Sequence, residues 1–187
     1  GGTSTPGEII MLKDILIVDG YNVIFAWTHL KKLAHESLEH ARMELRDRLL
    51  NYGKFKGYEV ILVFDGKYTK SGGSVEAITS GFLEVYTEDG ETADSFIERE
   101  VFLRKGKYTN VYVVTSDGAE QNQILGSGGL RIPARELQNM IRMAKEEERL
   151  QYAHEHRRDQ FSLRRNEVGG LLSPEVAEKL EKLRRGH

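Results

Sequence analysis

Four short stretches of this 187-residue chain set carboxylates beside groups that could work with them. Asp19-Gly20-Tyr21-Asn22 offers an acid, a glycine that lets the backbone turn closely, and an amide that can ligate or donate. Phe64-Asp65-Gly66 repeats the acid–glycine pair. Glu91-Thr92-Ala93-Asp94-Ser95 leads into Phe96-Ile97-Glu98, and Thr115-Ser116-Asp117 leads into Gly118-Ala119-Glu120-Gln121. Singly, each has an ordinary explanation. Asp19 and Asn22 can make a turn and cap the next segment. Thr92 can cap a helix whose positive end favours Asp94. Asp117 can be another cap, and Gln121 can either reach back toward a site or lie on the surface. Glu91 flanks Asp94. Glu98, four residues after Asp94 on one helical face, can support a site or face solvent. Jointly the stretches ask for more. Carboxylates converging on one place disfavour each other's ionisation unless a cation binds. Oxygen donors of this kind select Mg²⁺ (or Mn²⁺) rather than zinc. A carboxylate-held Mg²⁺ that keeps several waters suits phosphodiester hydrolysis.

The elements that must bring these groups together are legible as alternating strands and helices. Ile15-Leu16-Ile17-Val18, Val60-Ile61-Leu62-Val63-Phe64 and Val111-Tyr112-Val113-Val114 are short runs rich in β-branched residues. Such runs predict strands covered on both faces. Each is followed by one of the acids. A helix is expected at about residues 33–55, where Leu38, Ala41, Leu45, Leu49 and Tyr52 recur every three or four positions. A weaker strand at about Phe82–Tyr86, a helix from about Ala93 to Arg104, and a short helix after Asp117 come next. Then come a strand at Leu130–Ile132 and a long helix from about Ala134 to His156. Strands alternating with helices predict an α/β fold with a mainly parallel sheet. Right-handed crossovers put all the carboxyl ends of parallel strands on one sheet edge. Ligands bind at that edge in such folds, and Asp19, Asp65 and Asp117 all lie there.

Composition narrows the field. There is no cysteine, which excludes disulfides, thiol catalysis, cysteine-ligated zinc and iron–sulfur clusters, and fits a reducing cytoplasm. No apolar run is long enough to cross a bilayer, so no membrane partner is expected. The net charge of −2 hides an asymmetry: residues 149–187 carry nine Lys/Arg against six Asp/Glu. Residues 1–10, with Gly-Gly-Thr-Ser-Thr-Pro-Gly at their start, read as an expression scar or a disordered arm before Met11. Residues 11–156 read as the catalytic domain and 157–187 as a basic helical tail. In that tail Gly169-Gly170 is expected to break the chain, and Ser173-Pro174-Glu175 to start a last helix over about 174–185. Arg157, Arg158, Arg164 and Arg165 surround Phe161, a grouping suited to RNA phosphates and stacking, or to a solvated helix surface. Lys67, Tyr68 and Lys70, with the loop Ser71-Gly72-Gly73-Ser74, can touch a phosphate backbone or belong to a solvated loop. The six histidines have no metal-ligand spacing.

The motifs also resemble a family. Ile17-Val18-Asp19-Gly20-Tyr21-Asn22, Val63-Phe64-Asp65-Gly66, Glu91-Thr92-Ala93-Asp94 and Val114-Thr115-Ser116-Asp117 are similar, in order, to those of the YacP-like branch of the NYN domains. These belong to the PIN-like nuclease superfamily. The resemblance spans about residues 13–150. It implies a PIN-like three-layer sandwich with a helical C-terminal extension, a Mg²⁺ pocket and endoribonuclease activity. By motif position, Asp19, Asp94 and Asp117 are the implied metal ligands, with Asn22 an adjacent support and Asp65 less directly involved. The family's link with translation implies messenger RNA as substrate and the ribosome as partner; DNA is not expected. Three rivals stand beside this reading. One is a non-catalytic RNA- or ribosome-binding module. A haloacid-dehalogenase-type phosphatase would want Asp-x-Asp where this chain has Asp19-Gly20-Tyr21. A receiver-type phosphorylation switch leaves Glu91 to Asp94 unexplained.

Overall fold

A computed structural model describes residues 12–69, 72–116, 128–171 and 174–186. Its strands are β1 (Ile15–Asp19), β2 (Glu59–Phe64), β3 (Ser74–Thr79), β4 (Phe82–Tyr86), β5 (Val111–Thr115) and β6 (Leu130–Pro133). Its helices are α1 (Gly20–Ala26), α2 (Thr28–Glu36), α3 (Leu38–Lys56), α4 (Ala93–Arg104), α5 (Ala134–Leu171) and α6 (Pro174–Arg185), with a 3₁₀ turn at Gly66–Tyr68. One six-stranded sheet runs in the order β3-β4-β2-β1-β5-β6. Every pairing is parallel except β3 with β4. The expected mainly parallel α/β fold is the fold observed.

Side-chain alternation along the strands divides the core into two layers. Leu16 and Val18 of β1, with Val60, Leu62 and Phe64 of β2, join Leu45, Leu49, Leu137 and Ile141 from α3 and α5 on one face. Ile15 and Ile17, with Ile61, Val63 and Val113, meet Ala93, Ile97 and Val101 of α4 on the other. This is why β1 and β2 read as unbroken apolar runs: both faces of each strand are covered. Trp27, fully buried between α1 and α2, donates its indole N–H to the Ala134 carbonyl at 2.8 Å and so ties the first helices to the start of α5.

Several expectations change in detail. The single helix at about 33–55 is two: α3 begins at Leu38, because Ser37 is extended (φ −155°, ψ 113°) and its hydroxyl accepts the His40 N–H at 3.2 Å. The segment after Asp19 is helix α1 from its first turn, and Asp19 caps it, as the ordinary reading of that motif allowed. Strand β3 is an addition; its residues are mostly exposed, and it is held by antiparallel pairing to β4. The long helix does not stop near His156 but continues to Leu171, through Gly169-Gly170. Each helical glycine costs only about 1 kcal/mol relative to alanine, which strong helix formers on the N-terminal side can offset. The start of α6 at Pro174 is as expected, while Ser173 lies outside the described residues. So do residues 1–11 and the short helix expected after Asp117.

By their contacts the described residues fall into two compact units, one ending at Ala144 and one beginning at Lys145. The buried apolar residues end at Ala144. Border and burial coincide because, beyond Ala144, α5 carries its large apolar side chains (Leu150, Tyr152, Phe161, Leu163) in the open. The border expected between 156 and 157 falls inside that helix.

Candidate functional site

The site is built on β1. Asp19 is the last residue of that strand and pairs in register with Val63, whose side chain lies in the α4-side layer. It is 7 % exposed, one of very few buried charged residues described. Asn22, one turn into α1, holds both of its oxygens. The Asn22 backbone N–H donates to Oδ1 at 3.4 Å and its side-chain amide to Oδ2 at 2.9 Å. Each carboxylate oxygen keeps a lone pair free for another partner. Gly20 is required at the start of α1, because a Cβ there would stand 2.3 Å from the ring of fully buried Phe64.

Two further acids reach this point electrostatically. Burial pushes the Asp19 carboxyl up to about 6, the Asn22 N–H pulls it partly back, and the charges of Asp94 and Asp65 push it up again. Asp94 sits exposed in the first turn of α4, whose cap is Thr92: its hydroxyl accepts the Ser95 N–H at 3.1 Å. Ala93 and Ile97 bury the α4 face that brings this turn to the sheet. Asp65 follows β2, half-buried, and caps the 3₁₀ turn by accepting the Lys67 N–H at 3.1 Å. Thus Asp19, Asn22, Asp65 and Asp94 share one neighbourhood at the carboxyl edge of the sheet.

Other expected residues are placed elsewhere or committed otherwise. Glu91 is ion-paired with Arg99 at 2.8 Å. Glu98 is exposed on α4. Ser116 follows β5 and its carbonyl accepts from the Arg131 guanidinium at 2.6 Å, while Thr115 Oγ1 accepts from Arg131 Nε at 2.7 Å. Lys67 is exposed, its ammonium 5.0 Å from the centre of the Tyr68 ring. Arg157, Arg158, Arg164 and Arg165 are exposed along α5 in the second unit. Asp117, Gln121 and Lys70 lie outside the described residues.

The sequence reading missed three residues here. Tyr21 is buried beside Asn22, with Phe64 at 5.0 Å and Tyr68 at 4.7 Å between ring centres, and its hydroxyl accepts from Arg42 Nη1 at 3.3 Å. Arg131 pins the end of β5. Only the adjacency of Tyr21 to the Asp19 motif could have flagged any of them, because Arg42 and Arg131 come from distant elements.

The donor set fits a hard divalent cation in chemistry. Among the described residues no three His, Asp or Glu side chains are grouped to hold a metal ion. Mg²⁺ does not need three, since it is commonly held by one or two carboxylates while keeping several waters. A buried carboxylate disfavoured in its charged form by two acid neighbours is the kind of group such an ion relieves.

Known proteins match over most of the length. The model of the YacP-like NYN domain matches residues 16–185. YacP of Bacillus subtilis (strain 168) is 38% identical over 174 residues, covering 92% of this chain and 98% of that protein. The crystal structure of Rae1 (YacP) from Bacillus subtilis has a TM-score of 0.59 at 35% identity, over 92% of this chain and 95% of that one. A tryptophan-to-leucine variant of the same protein gives 0.62 at 33% identity, over 91% and 99%. With sequence, family model and fold in agreement, this chain belongs to the YacP-like NYN domain family, a nuclease-like family.

Proposed function

We propose that the chain is a metal-dependent endoribonuclease that hydrolyses phosphodiester bonds of messenger RNA in a translation-linked setting. The observation that carries this reading is Asp19, a buried carboxylate at the carboxyl end of a central parallel strand, raised to about 6 with Asp94 and Asp65 adding their charges. Family membership supports the nuclease chemistry. The translation link, the ribosome as partner and a cytoplasmic setting rest on the family resemblance; among the described residues no helix is long and apolar enough to cross a membrane.

Asp19 and Asp94 would hold Mg²⁺ (or Mn²⁺), with Asp117 beyond β5 as the third candidate ligand. A divalent ion bound there supplies Lewis-acid polarisation of the phosphoryl oxygens and lowers the pKa of water. The chain's own residues do the positioning. Asn22 fixes both oxygens of Asp19, so the carboxylate is oriented before substrate arrives. Asp65 adds negative charge and shapes the turn that carries Lys67. Lys67 offers a phosphate contact near the edge, and Arg157, Arg158, Arg164 and Arg165 offer more from the second unit. In-line attack of water on phosphorus leaves 5′-phosphate and 3′-hydroxyl ends.

A second reading, a non-catalytic RNA- or ribosome-binding module, is favoured by one observation: Asp94 is exposed, and the described acids alone form no three-ligand group. Cleavage of a translated messenger RNA in a purified translation system separates the two. With Mg²⁺ present, the wild type is expected to make a discrete cut, either with or without ribosomes or only in their presence, that Asp19→Asn and Asp94→Asn abolish. Binding without any cut, by wild type and variants alike, would establish the non-catalytic module instead.

A further inference from the structure

Tyr68 is anchored to the core on one side and half-exposed to solvent. Its backbone belongs to the 3₁₀ turn directly after β2, which is tied down at several points. Asp65 accepts the Lys67 N–H at 3.1 Å, Thr87 Oγ1 accepts the Gly66 N–H at 2.9 Å, and the Thr69 hydroxyl donates to the Gly66 carbonyl at 3.0 Å. Its ring meets buried Tyr21 nearly edge to face, at 67° and 4.7 Å. Tyr21 in turn rests on fully buried Phe64 at 5.0 Å. Yet Tyr68 is 50% exposed. A ring anchored through two others to the core, but left in water, forgoes part of the burial that stabilises most aromatic residues. It stands three residues from Asp65, whose charge reaches Asp19, and the Lys67 ammonium lies 5.0 Å from its centre. The same short turn therefore carries an acid of the site, a half-exposed aromatic ring and a cation that lies over that ring and must move aside for a base to stack there.

We propose that Tyr68 is a positioning residue that stacks an unpaired base of the nucleic acid whose phosphate occupies the Asp19 edge, with Lys67 contacting the adjoining phosphate. The inference rests on the nuclease reading and adds to it a base-binding subsite and a selection for single strands. A paired base has both faces covered by its neighbours in the helix; an unpaired base can swing onto the ring. Stacking of this kind is indifferent to base identity, because every base has a π-face. The anchored ring gives up little conformational freedom on binding, so most of the stacking energy goes to affinity.

The test uses the intact protein without divalent cation, so that RNA is bound and not cut. The probe is a single-stranded oligoribonucleotide carrying one fluorescent adenine analogue, followed by anisotropy and by quenching of the analogue. Wild type and Tyr68→Phe are expected to bind alike and to quench the probe. Tyr68→Ala is expected to bind about tenfold more weakly and to lose the quenching. Phe102→Ala, removing a 69% exposed aromatic on α4, is expected to change neither. The same probe annealed into a duplex should give no Tyr68-dependent signal. Equal binding by Tyr68→Ala and wild type, or equal loss in Tyr68→Phe and Tyr68→Ala, overturns the stacking role. If Tyr68→Ala binds normally while Asp19→Asn has lost cleavage, the subsite falls and the nuclease reading stands. If the wild type binds no single-stranded RNA, the subsite falls, and the nuclease reading is decided by the cleavage assay with ribosomes.

Discussion

Burial and the neighbouring charges of Asp94 and Asp65 lift the Asp19 carboxyl from 3.8 to about 6, against the opposing pull of the Asn22 N–H. Between those two values the folded chain holds a proton that the unfolded chain has released. Stability from this group is therefore greatest below about pH 4 and falls as pH rises toward about 6, then stays low. Roughly two units correspond to about 3 kcal/mol sacrificed at neutral pH. Asp19→Asn keeps a capping side chain at the start of α1 and removes the charge. It is expected to melt about 5–10 °C higher than wild type near neutral pH, with the gap closing toward about pH 4. In the same thermal melts, Mg²⁺ should raise the wild-type midpoint and leave Asp19→Asn unmoved. An Asp19→Asn protein that is no more stable than wild type at neutral pH would mean the carboxylate is well solvated. The sequence showed that Asp19 and Asp65 end strands, because the apolar runs stop at them. It did not show that Tyr21 and Tyr68 stand beside them, since that contact depends on how α1 and the turn after β2 close over Phe64.

At the scale of elements, the turn after β2 is set by one close approach. A Cβ on Gly66 would lie 1.9 Å from the Thr87 carbonyl oxygen, a backbone atom that cannot swing aside. Gly66→Ala is expected to destabilise the fold by about 3 kcal/mol, read by chemical denaturation, and to displace the turn that carries Tyr68. Unchanged stability would show that the turn adapts freely. Strands β1, β2 and β5 were legible because two-sided burial demands apolar residues at every position. Strand β3 was not: Ser74 to Thr79 is mostly exposed and pairs along one edge only, so its sequence carries no such constraint. The break between α2 and α3 was hidden because Leu30, Ala34, Leu38, Ala41 and Leu45 keep a helical rhythm across it, while Ser37 departs from helical geometry between them. Helix α4 was read with Thr92 as its cap, and Thr92 does cap it.

At the scale of the whole molecule, charge and burial divide the chain unevenly. Among the described residues the buried apolar ones end at Ala144, whereas residues 149–187 carry the surplus of positive charge. A chain ending at His156 is expected to keep the melting temperature within about 2 °C, because that core stays intact. Its affinity for RNA should fall, and its salt dependence should flatten as the arginine pairs Arg157-Arg158 and Arg164-Arg165 are lost. Binding that is unchanged in both respects would remove the tail from the RNA-contacting surface. The length of α5 escaped the sequence reading because the solvated stretch after Ala144 has no buried stripe to mark where it ends. A different consequence comes from β1 being central. Ile15 pairs with Glu59 on one side and with Val111 on the other. During synthesis the strand bearing Asp19 must wait for nearly a hundred further residues, on the order of 5–20 s at common elongation rates. Until then the flank that β5 will cover stays open, which makes the newborn chain most vulnerable to aggregation and to chaperone capture in that interval.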